Sequence, residues 1–557
     1  MRGATAPAWA VPVLLALFAL VVATAASTKS ATYDEPVHIL SGYRILTQGD
    51  FHTNHEHPPL MKILAAAPLL LMNVSPPTGQ LRQETDQWSV SSEFVYRAND
   101  ANRVLAAARL PITLLATCLA YAVFRSTATS LGPVAGLAAL ALLVTEPNIL
   151  AHSGLVTTDL GITAMVFFTF QAFLVGLRRW SRGWMVGAGA LFGLALLTKF
   201  TAVLLVPILA IAGGLVVWLE GTRRWTQLLA ALAAVVGIGL AVLNAGYGFG
   251  GTFSSLRGFA PESESFRRYA AGPLGGVPLP LPIEYVRGFD HAEAGGQRWW
   301  AYLLGRHSMT GWRTYYLVAF AVKTPLPLLM MAGAGMFLWP ALCKSGAAGD
   351  ARRGDPPALR PAHALLPQVP LLVYLAAFTL SGNLKNIGLR YILPVYPFLC
   401  MLAALVTRMK IKRSWLLVLP FVWQAALAGW MYPDYLTFFN LTVGGPSRGA
   451  EVLLDSNLDW GQDLKGLGAY IRQNRVEKIY VDYFGRGSLR YYGINSTPDF
   501  EGGLIAVSAT NLKGVYSENK QRYRFLWARE PVAVIGGSIF IYDAPRPADW
   551  VPKAGAD

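Results

Sequence analysis

Charged side chains are scarce in this sequence. Only 14% of its 557 residues are Asp, Glu, Lys or Arg, whereas 54% are hydrophobic and the mean hydropathy is +0.39. A soluble protein of this length carries about a quarter charged residues. Because the excess apolar surface needs lipid to cover it, the composition excludes an ordinary soluble protein and predicts an integral membrane protein.

Cysteine and the common cofactor motifs are also rare or absent. The sequence has 3 cysteines, whose positions indicate neither a disulfide framework nor a cysteine-based metal site. It contains no Walker loop, no dinucleotide-binding glycine pattern after a predicted strand, no Asp-x-Asp nucleotide-sugar site and no His-Glu-x-x-His motif. A soluble nucleotide-linked substrate is therefore less expected.

Long apolar segments dominate what is present. A bilayer-spanning helix needs about 20 mainly apolar residues. That length predicts about eleven spans, several of them short, at residues 8–26, 104–124, 134–149, 160–177, 184–197, 200–219, 225–243, 315–338, 364–380, 391–406 and 415–430. The stretch 60–74 is too short to span and predicts an interfacial or re-entrant helix. We interpret the first span as an uncleaved anchor rather than a signal peptide, because candidate functional residues follow it at once.

The formal net charge of +15 comes from basic residues that gather between apolar segments. With a cytoplasmic N-terminus, the dense basic runs all fall on the cytoplasmic side: Arg178, Arg179, Arg182, Arg223, Arg224, Lys344, Arg352, Arg353, Arg360, Arg408, Lys410, Lys412 and Arg413. We interpret them as a topology signal, and no nucleic-acid partner is expected. The loops 27–103 and 244–314 and the tail from residue 431 are then predicted to face outward.

The first outer loop is dense in ionisable residues. Asp34 and His38 lie one turn apart if the segment is helical, whereas the neighbours Asp34 and Glu35 point about 100° apart. Ionisable residues beside a membrane suggest function, and a carboxylate here can take a proton from an attacking acceptor group. The alternative is a capping or solvated acidic pair at a helix entrance.

A histidine-rich group follows in the same loop. His52, His55, Glu56 and His57 have the side chains of a zinc site, but their spacing is irregular. Two prolines follow His57 and restrict its backbone, so the alternative is that His57 fixes the end of the loop.

Several motifs occur in order along the chain: Asp34-Glu35, the stretch from His57-Pro58-Pro59-Leu60 to Lys62, and the segments 147–159, 311–325, 390–394 and 439–464. In this order the sequence resembles, nearly end to end, bacterial members of the protein O-mannosyltransferase and aminoarabinose-transferase superfamily (glycosyltransferase family 39). The resemblance implies the GT-C fold, which is a mainly α, polytopic architecture in the bacterial inner or cell membrane.

Two departures narrow this resemblance. Aminoarabinose transferases usually carry an Arg shortly after the Asp-Glu pair and a Lys before Pro-Pro-Leu, where this sequence has Val37 or His38, and His57. These differences weaken lipid A modification as the reaction. The tail also lacks the sugar-binding repeats of eukaryotic O-mannosyltransferases, which makes a eukaryote-like protein substrate doubtful.

The resemblance implies an inverting, single-displacement transfer of a sugar from a polyprenyl-phosphate donor. The acceptor is then expected to be extracytoplasmic, and the sequence leaves open whether it is a protein, a lipid or a polysaccharide. We assign the base to Asp34, with Glu35 beside it and Asp159 as a second carboxylate. Asp159 would orient the acceptor or hold a divalent cation, the one cofactor considered; alternatively, it caps the helix that follows.

Cations are expected around the departing phosphate. The candidates near outer helix ends are Lys62, Arg109, Lys199, Lys385 and Arg390. The alternative for these residues is snorkelling toward the interface. Three histidines are expected to position the acceptor or the loops: His38, His57 and His152.

The predicted organisation is a GT-C transmembrane domain over 1–430 and a small extracytoplasmic α/β domain over 431–557, with a helix at 464–472 and strands at 478–484 and 538–542. The rival interpretation is a transporter or a flippase for lipid-linked sugars. It suits the number of spans, but no internal repeat is visible and the charges gather at one face. A non-catalytic scaffold for the tail leaves the acidic first loop without a purpose.

Overall fold

The computed structural model describes residues 7, 9–77, 79, 81, 83, 85–296, 299–349, 366–381, 385–409 and 413–550. Helices account for most of these residues, as predicted. In chain order the α-helices are α1 (Ala10–Thr28), α2 (Glu35–Gln48), α3 (Leu60–Ala66), α4 (Asp86–Tyr96), α5 (Ala101–Leu131), α6 (Pro133–Val144), α7 (Pro147–His152), α8 (Thr158–Arg179), α9 (Arg182–Leu196), α10 (Leu205–Leu219), α11 (Trp225–Gly246), α12 (Glu264–Ala271), α13 (Ile283–Gly296), α14 (Tyr315–Lys323), α15 (Leu326–Gly349), α16 (Gln368–Leu380), α17 (Tyr396–Ala403), α18 (Leu419–Trp430), α19 (Gly449–Val452), α20 (Leu464–Gln473) and α21 (Ala509–Leu512).

The apolar helices make the chain a multi-pass integral membrane protein. Within the described residues, 6 helical segments are long and apolar enough to cross a membrane, or up to 7 if a bent pair is one span. The predicted number of about eleven is not confirmed. Four further predicted spans correspond to apolar helical segments that are shorter than the bilayer requires: Pro133–Val144, Arg182–Leu196, Gln368–Leu380 and Trp415–Trp430.

The bent pair consists of α14 and α15, which meet at 107°. The break contains Pro325, and proline disfavours helical backbone in the residue before it. Lys323, at the end of α14, is buried there and donates its ammonium to the backbone oxygens of Leu436 (2.7 Å) and Asn457 (2.5 Å). The bend therefore attaches the membrane helices to the tail.

The predicted cytoplasmic basic residues lie at the helix ends opposite to the candidate site. Arg179 ends α8, whose first turn carries Asp159, and Arg408 ends the apolar segment Leu389–Arg408, which begins beside Arg390. Arg408 donates to the backbone oxygen of Leu131 at the end of α5 (2.6 Å). Of the other predicted basic residues, some lie outside the described residues: Arg352, Arg353, Arg360, Lys410 and Lys412.

The first outer loop folds into the helices α2, α3 and α4. Pro36 occupies the first turn of α2, where the missing N–H costs no hydrogen bond, and Gly49 ends this helix with a φ of 67°. The predicted interfacial helix at 60–74 is α3 followed by the 3₁₀ turn Ala67–Leu71. The N–H of Leu60 donates to the backbone oxygen of Leu197 (2.9 Å), which fixes α3 against the membrane helices.

Six short strands complete the fold: β1 (Ala301–Leu303), β2 (Arg306–Ser308), β3 (Tyr480–Asp482), β4 (Gly503–Ser508), β5 (Ala533–Ile535) and β6 (Ile539–Ala544). β1 and β2 form an antiparallel pair in the second outer loop, and the others form one sheet in the order β3-β4-β6-β5. The pairing of β3 with β4 is parallel, and the remaining pairs are antiparallel. The predicted helix and both predicted strands of the tail are present, so its small α/β character is confirmed; β4 and β5 were not predicted.

The tail is attached directly to the first outer loop. The N–H of Ser30 donates to the backbone oxygen of Gln462 (2.9 Å), and the N–H of Tyr33 donates to that of Trp460 (2.8 Å). The tail segment 455–463 therefore lies beside the acidic pair of the first loop. The predicted domain boundary at residues 430 and 431 stays a prediction.

Candidate active site

Two carboxylates and two cations from distant parts of the chain meet at one end of the helices. Nη1 of Arg390 lies 3.3 Å from Oδ2 of Asp34 and 3.5 Å from Oδ2 of Asp159. Nζ of Lys199 donates to Oδ1 of Asp159 at 2.5 Å. These four residues, which we call the ion cluster, were all candidates from the sequence, two as carboxylates and two as phosphate-binding cations.

Each member of the ion cluster lies at or near a helix end. Asp34 directly precedes α2, and Asp159 lies in the first turn of α8. Lys199 precedes the 3₁₀ segment Phe200–Leu204, and Arg390 is the second residue of the 3₁₀ segment Leu389–Val395. Helix ends give the polar side chains access to one another, whereas the apolar middle of each helix packs into the core.

The carboxylate of Asp34 is the more open of the two. Its side chain is 18% exposed, whereas that of Asp159 is completely buried. Burial is the main cause that raises the pKa of Asp34 to about 6; Arg390 opposes this shift, and the carboxylates of Asp455, Asp159 and Glu56 add to it. A carboxylate with this pKa is mostly ionised at neutral pH and is a stronger base than an ordinary aspartate.

Glu35 and Arg109 form a separate ion pair that does not open toward the ion cluster. Glu35 is fully buried and accepts from Nε (2.8 Å) and Nη2 (2.6 Å) of Arg109. The backbone N–H groups of Thr32 (2.8 Å) and Val156 (2.9 Å) donate to the same carboxylate. Arg109 also donates to the backbone oxygen of Ser30 (2.8 Å). The pair therefore fastens the first loop to α5 and to the loop before α8, and neither residue is free to contact a substrate.

The two remaining predicted cations have different surroundings. Lys62 is buried and donates to the backbone oxygen of Asn54 (2.8 Å), so it fixes a turn of the first loop. The ammonium of Lys385 lies 5.3 Å from the ring centroid of Trp299 and pairs with no carboxylate among the described residues. Burial lowers the pKa of Lys385, and the charge of Glu56 opposes this. Lys385 is thus the predicted cation most available to an anionic ligand.

The three predicted histidines lie around the ion cluster as neutral side chains. Burial lowers the pKa of His38 to about 3 and that of His152 to about 4. The rings of His38 and His57 lie 4.9 Å apart, and His152 lies 6.1 Å from the ring of Trp460. Among the described atoms, neither ring nitrogen of His38 nor Nδ1 of His152 has a hydrogen-bond partner. These nitrogens are therefore suited to hydrogen bonds with a bound substrate.

The tail contributes side chains that the sequence analysis did not assign to the site. The guanidinium of Arg390 lies 4.2 Å from the ring centroid of Trp460. Asp455, which has a φ of 56°, accepts a hydrogen bond from the hydroxyl of Tyr516, and burial raises its pKa. A Cβ on Gly388 would lie 2.3 Å from Oγ of Ser456, so glycine is needed where the Arg390 segment meets the tail.

A sequence signal for these residues was present. The motif from Asp455 to Leu464 contains three aspartates, which is unusual in a chain with 14% charged residues. It belongs to the motifs that carry the family resemblance, but the resemblance assigns none of its residues to the site. Its distance along the chain from the acidic pair concealed the contact, which depends on tertiary structure.

A divalent cation fits the ion cluster poorly. Asp159 already accepts from Lys199 at 2.5 Å, and both carboxylates lie within ion-pair distance of Arg390. A metal ion would have to displace these two cations from the carboxylates that would bind it. The protein therefore supplies positive charge here with its own side chains.

The four residues predicted as a possible zinc group are not gathered. The ring of His57 faces His38, whereas Nδ1 of His52 lies 3.2 Å from Oε2 of Glu284. Within the described part of the chain, His55 instead lies beside the second outer loop. The first loop alone does not form a metal site.

The middle of the chain is similar to a known protein family. Residues 101–245 match the family model described as dolichyl-phosphate-mannose-protein mannosyltransferase. The match contains Asp159 and Lys199 of the ion cluster and ends before Arg390. Over these residues it confirms the predicted resemblance to protein mannosyltransferases. No curated protein sequence matches the chain.

Two solved structures from other organisms are similar over most of the chain. ArnT from Cupriavidus metallidurans bound to undecaprenyl phosphate is 16% identical with a TM-score of 0.47, covering 99% of this chain and 100% of that chain. The oligosaccharyltransferase AglB from Archaeoglobus fulgidus, in complex with an inhibitory peptide and a dolichol-phosphate, is 12% identical with a TM-score of 0.44, covering 94% of this chain and 71% of that chain. With such low sequence identities and TM-scores, these structures do not identify the residues of the site.

Proposed function

We propose that this protein is a membrane glycosyltransferase that moves a sugar from a polyprenyl-phosphate donor to an extracytoplasmic acceptor with inversion, using Asp34 as the base. The observation that carries this proposal is the state of the Asp34 carboxylate. It is partly exposed, its pKa is about 6 chiefly because of burial, and Arg390 is 3.3 Å away. The family match at 101–245 supports the type of reaction.

In the proposed step Asp34 receives a proton and the polyprenyl phosphate is the leaving group. Asp34 takes the proton of an acceptor O–H or N–H group while that atom forms a bond to the anomeric carbon of the sugar. The bond between this carbon and the phosphate oxygen breaks, and the electron pair leaves with the polyprenyl phosphate. A single displacement inverts the anomeric configuration, so one base suffices.

The leaving phosphate needs positive charge close to the same point. Nε of Arg390 is buried and has no hydrogen-bond partner among the described residues, so the guanidinium has donor capacity left. Lys385 has a half-buried ammonium without a paired carboxylate in the described structure. A guanidinium and an ammonium together would neutralise the growing charge on the phosphate. Lys199 acts indirectly, because it is bound to Asp159.

We infer that the ion cluster faces the periplasmic or extracellular side. The basic residues Arg179 and Arg408 lie at the opposite ends of the helical segments that carry Asp159 and Arg390. The positive-inside rule assigns such basic ends to the cytoplasm. Accessibility labelling of Gln48→Cys and Arg179→Cys, both at exposed positions, should reach residue 48 from outside and residue 179 from the cytoplasm; labelling of both from the same side would contradict the proposal.

The direct test compares wild type with Asp34→Asn. The full-length protein in lipid nanodiscs would be incubated with a panel of radiolabelled polyprenyl-phosphate sugars and a cell-envelope extract as acceptor source. Wild type should transfer label and release polyprenyl phosphate, and Asp34→Asn should lower the rate about 10²–10⁴-fold. Asp543→Asn, which changes an exposed aspartate of the tail, should retain wild-type activity.

Two outcomes would contradict this assignment. Normal turnover by folded Asp34→Asn would exclude Asp34 as the base. In sealed proteoliposomes, movement of the labelled lipid across the bilayer by wild type, without transfer of its sugar to any acceptor, would favour the rival transporter or flippase. Transfer by wild type that fails in Asp34→Asn separates the enzyme from both the transporter and the scaffold.

A further inference from the structure

Three potential metal ligands meet where the two long outer loops touch. His55 belongs to the first loop, and Glu262 and His291 belong to the second. One ligand atom from each lies within 4.8 Å of the others. Two imidazoles and a carboxylate are typical zinc ligands, and three such ligands with water in the remaining position form a known type of zinc site.

The second loop holds its two ligands in place independently of His55. The carboxylate of Asp290, next to His291, accepts from the N–H groups of Glu262 (2.7 Å) and Ser263 (3.0 Å). Nδ1 of His291 lies 2.9 Å from Oε2 of Glu262. Because Asp290 fastens the turn before α12 to α13, the carboxylate and the imidazole are arranged side by side by backbone contacts.

Close packing brings the third ligand to this pair. A Cβ on Gly288 would lie 2.0 Å from the backbone oxygen of His55, so α13 contacts the first loop at a distance that only glycine allows. Gly288 and His291 are three residues apart and share one face of α13. The ring centroids of His55 and His291 are consequently 4.7 Å apart.

A neighbouring polar contact also joins the two outer loops, but it involves fewer potential metal ligands. Nδ1 of His52 lies 3.2 Å from Oε2 of Glu284, and His52 is 73% exposed. That pair has one histidine and one carboxylate. The imidazole of His55 faces His291 and Glu262, which already contact each other, and a metal ion would give all three side chains a common partner.

We propose that His55, Glu262 and His291 bind a divalent cation of the zinc type, with water completing its coordination, and that this ion fastens the second outer loop to the first. The ligands do not include any member of the ion cluster, so the ion holds the two loops together without touching the candidate active site. Since Glu56 and His57 follow His55 directly, the tie also fixes the turn that borders the candidate active site. The proposal does not depend on the reaction that the protein catalyses.

The test uses the full-length protein in nanodiscs after treatment with a chelator. Zinc titration by calorimetry and metal analysis after gel filtration should give one bound Zn²⁺ per chain. His55→Ala, His291→Ala and Glu262→Gln should each weaken binding at least about tenfold, since each removes one of three ligands. His52→Ala, the matched control in the same turn, should bind zinc as wild type does.

A second readout separates binding from folding. Zinc should raise the unfolding temperature of wild type and of His52→Ala but not that of His55→Ala, because only a ligand that binds the folded state stabilises it. Without zinc all four histidine and glutamate variants should unfold close to wild type. Absence of a stoichiometric ion in wild type, or equal binding by wild type, His55→Ala and His291→Ala, would overturn the proposal, as would equal loss in His52→Ala.

Discussion

Asp34 and Glu35 are adjacent in the sequence, and each is paired with an arginine, yet the two pairs differ in almost every physical respect. Glu35 is fully buried and accepts from Arg109 at 2.8 and 2.6 Å as well as from two backbone N–H groups. Asp34 is 18% exposed and accepts one hydrogen bond among the described residues, from Arg390 at 3.3 Å. One carboxylate has its hydrogen-bonding capacity filled, and the other has most of it left.

This difference separates a structural ion pair from a reactive one. A buried charge is tolerated only when a partner and further hydrogen bonds replace its lost hydration, which is the condition of Glu35. A general base must keep a lone pair available and must have a pKa near the working pH, which is the condition of Asp34. The sequence predicted that the side chains of Asp34 and Glu35 point about 100° apart, and the structure pairs them with different arginines.

The largest expected effect is a loss of stability on breaking the ion pair of Glu35 and Arg109. Glu35→Ala leaves the guanidinium of Arg109 buried without its carboxylate, so it should lower the free energy of unfolding by about 3–5 kcal/mol. The measurement is denaturant unfolding in mixed micelles, compared with wild type and with Asp34→Asn. Asp34→Asn should unfold close to wild type, because its carboxylate is partly exposed and makes a single long hydrogen bond.

A double variant sharpens this result. Glu35→Leu combined with Arg109→Met removes both charges and should recover most of the lost stability, because apolar replacements of a buried ion pair are often neutral. If Glu35→Ala unfolded no more easily than Asp34→Asn, the distinction between the two pairs would be wrong.

Much of the fold could be predicted from the sequence because it depends on local composition. Apolar length and basic flanks located the membrane segments, and Pro58-Pro59 before a short apolar run indicated an interfacial helix. The number of spans was not predictable in this way, since several apolar helices are shorter than a bilayer. The bend at Pro325 shows why: packing against the tail decides whether two helices act as one span.

The candidate site could be predicted only in part. Lys199 and Arg390 were candidates because of their charge near predicted helix ends. Asp34 and Asp159 were candidates from the outer loops and the family resemblance, and the structure brings all four together. The sequence did not reveal that Arg109 is occupied by Glu35, because pairing is a tertiary property. The contribution of Trp460 and its neighbours was missed for the same reason, as they reach the site from a segment more than 400 residues from Asp34.

Arg390, the arginine of the Asp34 pair, is expected to bind the donor phosphate. Arg390→Ala should raise the half-saturating donor concentration by about 10–100-fold, because a charge-assisted hydrogen bond to the phosphate is lost. The half-saturating acceptor concentration should change less. The half-saturating donor concentration of Arg390→Lys should lie between those of wild type and Arg390→Ala, because lysine keeps the charge but loses the planar guanidinium that binds phosphate through two hydrogen bonds. Donor and acceptor titrations of the purified protein measure both values, with Arg524→Ala, an exposed arginine of the tail, as the control. Unchanged donor half-saturation in Arg390→Ala would remove Arg390 from the phosphate site.

The smallest effect, and the most specific to Asp34, is expected in the dependence of activity on pH. Burial raises the pKa of Asp34 to about 6, and the charges that face it are Arg390, Asp455, Asp159 and Glu56. Below this pKa the carboxylate is protonated and cannot accept the acceptor's proton. The kcat/KM for the donor should therefore rise about tenfold per pH unit up to a pH of about 6 and then level off.

Arg390→Ala tests the origin of this midpoint. Arg390 opposes the rise in the pKa of Asp34, so its removal should move the midpoint of the residual activity to higher pH. A purely structural role for Arg390 would lower the rate without moving the midpoint. A wild-type midpoint near 4, the ordinary value for aspartate, would show that Asp34 is hydrated and ionised like a surface carboxylate, and its contrast with Glu35 would then no longer identify the base.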